Sequence, residues 1–179
     1  MSERFKDIIN AGLEKAASAF AMIIKREVKV KKIKVRIGVG DEKLFISDKV
    51  TNEDQILITP LIGESNGKSF LIFDAYTAGL ITALCHSGHD KLLDKNAVEN
   101  ILLEIDNILS ATFITEISNQ LEISIFGDVP KITVKEALEA DTEMDAFIFI
   151  ESEFDIEKDE MANVSFLWML EGELLKKVS

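Results

Sequence analysis

The apolar pattern of this chain is written twice, 97 residues apart, and that repeat limits the folds open to it. Leu102, Ile105, Leu109, Phe113, Ile117 and Leu121 recur every three or four residues, one apolar stripe along several helical turns. Ninety-seven residues earlier stand Phe5, Ile8, Gly12, Ala16, Phe20 and Ile24. Five of those six are apolar, and the sixth is glycine, small enough to let another backbone approach. The same offset carries Glu104 to Asp7 and Asn107 to Asn10. An acid and an asparagine three residues apart therefore occur in both copies.

The segments after each stripe agree as well. "VKVKKIKVRI" (Val28–Ile37), "QILITPLI" (Gln55–Ile62) and "KSFLIF" (Lys68–Phe73) have strand character, and "AYTAGLITALC" (Ala75–Cys85) follows as a short helix. In the second copy the strands are "EISIF" (Glu122–Phe126), "DAFIFIESEF" (Asp145–Phe154) and "NVSFLWML" (Asn163–Leu170), closed by a helical "EGELLKKV" (Glu171–Val178). Two units are too few for a solenoid. The expected fold is α+β: one domain over 1–179, made of two repeat halves of about 1–93 and 94–179. The halves pair about a pseudo-twofold axis, with long helices packed on a mostly antiparallel sheet. Short polar turns such as "ESNGK" favour antiparallel pairing. Trp168 and the eleven phenylalanines read as core.

A formal net charge of −12 argues against nucleic acid, whose affinity comes from Lys and Arg on phosphates. Cys85 is the only cysteine, so no internal disulfide forms and a reducing compartment is expected. "MSERFKDIIN" lacks a secretory pattern, and "AASAFAMII" falls well short of the roughly 20 residues a membrane span needs. A cytoplasmic protein without membrane insertion is expected.

On an ideal helix, at about 100° per residue, Glu104 and Asn107 lie within about 60° of each other, opposite Leu102, Leu109 and Phe113. Ala111, one turn on, leaves that surface open. A carboxylate and an amide make a poor nucleophile system, and no serine–histidine or cysteine–histidine arrangement accompanies them. An amide both donates and accepts hydrogen bonds, so it can hold a water in line with phosphorus. A carboxylate can pair with a lysine on a docking partner. In phosphoryl transfer, positioning of this kind supplies much of the catalysis.

"EIDNILSATFITEISNQLEISIFGDVP" resembles the CheC/CheX/FliY family of chemotaxis phosphatases. The family signature is Asp or Ser, three residues, Glu, two residues, Asn, twenty-two residues, then Pro. Glu104, Asn107 and Pro130 fill the acid, amide and proline places. Asn100 stands where Asp or Ser is usual, and Asp106 and Leu109 occupy places where glycine is common. In the first copy Asp7 replaces Glu and Ile33 falls at the proline place. By length a CheC-type member is expected rather than FliY, with no flagellar-switch domain expected after Ser179.

The resemblance implies dephosphorylation of the response regulator CheY, with Asn107 orienting the attacking water and Glu104 contacting a lysine of the regulator. Asp7 and Asn10 would form a degenerate second site. It implies no cofactor of the protein's own, because Mg²⁺ is held by the phosphorylated regulator. The alternative is a CheC-like module that docks CheY, or the receptor deamidase CheD, without turnover; a flagellar-switch scaffold is a third.

Other motifs have plainer readings. "CHSGHD" (Cys85–Asp90) gathers both histidines but matches no standard zinc spacing, so a loop and no metal site is expected. "ESEFDIEKDE" (Glu151–Glu160) reads as a turn between strands, without the glycine of a calcium loop. "GVGDEK" (Gly38–Lys43) reads as a turn, not a phosphate loop.

Overall fold

The computed structural model describes residues 2–41, 46, 49–86, 93–138, 143–171 and 174. Along them run α1 (Glu3–Ile24), β1 (Val28–Asp41), β2 (Gln55–Gly63), β3 (Gly67–Phe73), α2 (Ala75–Cys85), α3 (Lys95–Leu121), β4 (Ile125–Gly127), β5 (Lys131–Thr133), α4 (Lys135–Leu138), β6 (Glu143–Ile156) and β7 (Asp159–Glu171). The seven strands make one antiparallel sheet in the order β1-β6-β7-β3-β2-β4, with β5 also beside β2. The class is α+β, as expected.

The long helices form where the stripes lie, and each is closed by local chemistry. Ser2 caps α1 by accepting from Phe5 N–H, and Asp94 caps α3, its Oδ1 accepting from Ala97 N–H at 2.8 Å. Both helices stop on a left-handed residue, Lys25 at φ 54° and Glu122 at φ 53°. Asp94→Ala is expected to cost about 1 kcal/mol, the usual worth of such a cap. Urea denaturation checks it, and an unchanged midpoint would show that the cap is idle.

Packing then sets α1 beside α3 on one face of the sheet. Every stripe residue of α1 is buried, as are Leu102, Ile105, Leu109, Phe113 and Ile117 of α3. What Gly12 admits is chiefly a ring: a Cβ there would come 2.9 Å from Phe113 Cδ2. The Phe113 ring lies 4.3 Å from that of Trp168, centroid to centroid, so helix and sheet interlock through aromatic contact. Lys15 of α1 also pairs with Glu116 of α3, a carboxylate only 8% exposed. The sheet is apolar on its other face too, where Ile56, Phe70, Ile72, Phe147, Phe149, Leu167 and Met169 form a second cluster.

Several expectations need correction. Gly38–Asp41 continues β1 and is not a turn, while Glu42 and Lys43 lie outside the described residues. Gly38 serves there as the partner of Phe147, whose ring would sit 2.3 Å from a Cβ. The strand expected at Glu122 starts at Ile125, because Glu122 is spent on the left-handed cap. Phe126 is 60% exposed and not core, and Phe45 lies outside the described residues. Of the expected closing helix, Glu171 ends β7, Leu174 is buried, and the remainder is outside them. The turn expected within "ESEFDIEKDE", by contrast, is present: a tight hairpin at Glu157 and Lys158 joins β6 to β7, with Ile156 opposite Asp159.

Candidate functional site

The helix α3 presents Glu104 and Asn107 on its exposed side, while Leu102, Ile105 and Leu109 hold its other side in the core. A hollow of about 530 Å³ opens there between α3 and the segment Gly127–Pro130. Glu104, Asn107 and Pro130 all line it, although Pro130 is far from the helix in sequence. Asn100 lines it as well.

The strand edge is bent to reach the helix. Gly127 pairs with Leu61 and Lys131 with Ile58, so four steps along the outer edge span three along β2. The extra residue makes a bulge, a device that re-aims side chains beside functional sites. Asp128 pins it: its backbone N–H donates to Pro60 O at 2.8 Å, and its Oδ1 accepts from Val129 N–H at 2.7 Å. Glu104 and Asp128 give the hollow an acidic lining, and among the described residues no Lys or Arg lines it. Neither the Glu104 carboxylate nor the Asn107 amide bonds to another described residue, so both are free to meet a ligand.

A second hollow, about 350 Å³, adjoins on the other side of Asn107, between Ala111, Ile114 and Phe126. Phe126 (60% exposed), Val129 (68%) and Ile62, which pairs with Phe126 across the ladder, give the site an apolar rim.

Beneath the site lies Asp106, fully buried. Its Oδ2 accepts from Thr59 Oγ1 at 2.7 Å and its Oδ1 from Ser110 Oγ at 3.3 Å; Ser110 Oγ in turn lies 2.9 Å from Ser69 Oγ. Burial pushes the Asp106 carboxyl up to about 6, against the opposing pull of the Thr59 and Ser110 hydroxyls.

Asp7 and Asn10 are exposed on α1. Asn10 lines a separate hollow of about 490 Å³ with Lys6, Lys31, Lys32 and Ile33; Asp7 is not part of its lining. The two acid–amide pairs are thus on different helices and in different hollows. Of the histidine cluster, His89 and Asp90 lie outside the described residues, while His86 ends α2. Among the described residues no group of three or more His, Cys, Asp or Glu could hold a metal, and no helix is long and apolar enough to cross a membrane.

By sequence the chain matches no protein-family model and no curated protein. By structure it is similar to FliY from Thermotoga maritima, with a TM-score of 0.66 at 20% identity over 99% of this chain and 94% of that one. The fold is that of FliY and CheX. CheX from Borrelia burgdorferi, solved as a CheX–CheY complex with BeF3 and Mg²⁺, aligns at TM-score 0.59 and 15% identity over 92% of this chain and 98% of that one. The middle domain of FliM from Vibrio alginolyticus, described there as residues 51–229, aligns at 0.64 and 8%, covering 97% and 96%.

On this CheX-like fold, sequence reasoning missed Gly127, Asp128, Val129 and Phe126. Their signal was faint: one short strand running into "GDVP", with an apolar residue on either side of a turn. It also took Asp106 only as a missing glycine.

Proposed function

We propose that this protein is a chemotaxis phosphatase that hydrolyses the aspartyl phosphate of a CheY-type response regulator. One observation carries the proposal: Glu104 and Asn107 line one hollow with Pro130, which is remote from them in sequence, and neither the acid nor the amide bonds to another described residue. The Asn107 amide accepts and donates at a single water, holding it in line with the phosphorus. As the water oxygen bonds to phosphorus, the bond to the regulator's aspartyl oxygen breaks and a carboxylate leaves. Inorganic phosphate carries off the water's protons. Glu104 pairs with a lysine of the regulator. The chain supplies no cofactor, since Mg²⁺ travels with the phosphorylated regulator. The apolar rim of Phe126, Val129 and Ile62 suits a protein partner, because exposed apolar patches ringed by polar groups mark such contacts.

The fold also supports a duplicated origin. The strand order β1-β6-β7-β3-β2-β4 reads the same from either end when β1 is matched with β4, β2 with β6 and β3 with β7. The left-handed caps Lys25 and Glu122 stand 97 residues apart, the offset of the two stripes. Asp7 and Asn10 are then the counterpart pair, weakened by the shorter acid.

The test is the decay of labelled phosphate on a CheY-type regulator with and without this protein. Acceleration supports the proposal. Glu104→Lys sets a cation against the regulator's lysine and is expected to weaken docking about tenfold or more, seen as a raised half-saturating regulator concentration. Binding without acceleration would favour the second reading, a module docking CheY or CheD without turnover. Asp106, standing where the family commonly has glycine, is the feature that favours that reading.

A further inference from the structure

The hollow beside Asn10 matches the one beside Asn107 in position and opposes it in charge. Lys6, Asn10, Val30, Lys31, Lys32 and Ile33 each stand 97 residues before a residue lining the Asn107 hollow. Both hollows are built against a bulge, since two steps from Val30 to Lys32 span one from Phe154 to Glu153. Lys31, the extra residue of that bulge, stands where the other has Asp128. Lys6 and Lys32 stand where it has Leu103 and Val129. Asp7, the counterpart of Glu104, has left the lining.

We propose that the Asn10 hollow is a second docking site, selective for an acidic peptide segment of a partner protein. Charge complementarity argues for it. Five of the chain's 20 Lys and Arg residues fall within Val28–Ile37, with no Asp or Glu among them, in a protein whose net charge is −12. Lysines on an edge strand resist unwanted pairing, which accounts for a basic β1. It does not account for Lys6, which approaches from α1 and converges with Lys31 and Lys32 on Asn10.

The cations are also available. Lys31 makes no ion pair with a described residue. Lys6 is held by Glu3 at 2.6 Å, but the two are 46% and 82% exposed, and such a surface pair exchanges readily for another carboxylate. Lys32 is held more firmly, by half-buried Glu153 at 2.6 Å with buried Glu151 at 3.9 Å, and lends the hollow its charge less freely. Three ammonium groups spread over two elements around an open hollow meet several spaced carboxylates better than one compact ion. The Asn10 amide adds a donor between them.

The site stands apart from the phosphatase proposal, and its test needs no regulator. Backbone-amide NMR of the full chain is followed while hexaglutamate is added, with hexalysine and inorganic phosphate as separate arms. Hexaglutamate is expected to give saturable shifts at Asn10, Lys31, Lys32 and Ile33 and none at Asn107, Asp128 and Val129. Lys6→Glu with Lys31→Glu should weaken that binding about tenfold or more, whereas Lys95→Glu, at an 88% exposed lysine on α3, should leave it unchanged. Shifts spread over all lysine-bearing segments, or equal losses from both variants, would overturn the site. Inorganic phosphate shifting the same amides as tightly would overturn the peptide assignment in favour of a small oxyanion.

Discussion

Asn107→Ala is expected to slow loss of phosphate from a CheY-type regulator by about 10²–10³-fold, the range for removal of one preorganised polar group. The amide is exposed, bonds to no other described residue and lines the hollow with Pro130, so its removal leaves fold and groove intact. Docking should hardly change, because one small exposed side chain adds little to an interface. Turnover at saturating regulator should therefore fall while the half-saturating concentration stays put. Asn10→Ala should cost less, since its hollow has lost the acid and the proline and gained three lysines. Equal losses from the two substitutions would show that the acid–amide pair with its proline is a poor guide to the working site. Normal turnover by Asn107→Ala would remove its water-positioning role.

The second large effect concerns stability. Asp106 is fully buried, hydrogen-bonded by Thr59 and Ser110, with its carboxyl pushed up to about 6 from an ordinary 3.8. The folded chain thus holds that proton more tightly than the unfolded chain does. Its contribution is fully present below about pH 4 and is lost as pH rises through about 6. Above that, the buried charge costs on the order of 3 kcal/mol. Asp106→Asn removes the ionisation and keeps an oxygen for Thr59. The difference in urea stability between the variant and the parent should therefore grow in the variant's favour between pH 4 and 7. Parallel curves across that range would refute the account. Activity measured alongside would show whether this anchor on the buried side of α3 also sets the pose of Asn107.

The two helical stripes were readable because each apolar residue answers to a local 3.6-residue period, and Leu102, Ile105, Leu109, Phe113 and Ile117 are all buried. Strand centres were readable for a related reason: runs such as "KSFLIF" have little choice but to be covered. What escaped depends on distant partners. The three-residue strands β4 and β5 exist because β2 offers its edge to them, and no period forms in three residues. Gly38 stays in β1 because the Phe147 ring occupies the space of a Cβ. Asp106 lies on the stripe of Leu102 and Leu109, a position that could have marked it as buried. Its hydroxyl partner Thr59, 47 residues away, could not be named from spacing. The acid–amide pair was visible because helix geometry alone places it; the bulge that completes the hollow was not.

The sheet order has a consequence for how the molecule is made. The inner neighbour of β1 is β6, and Val28 pairs with Ile156; β4 and β5, made late, pair with β2, made early. On the ribosome, β1 leaves the exit tunnel long before its partner is translated. Through that interval the apolar side of α1 has neither α3 nor a finished sheet to cover it. Until the second half is made, the first half thus leaves apolar helix surface and a long strand edge uncovered, the kind of surface that exposes partly folded chains to aggregation. The lysines along β1 keep that waiting strand from pairing with another nascent chain.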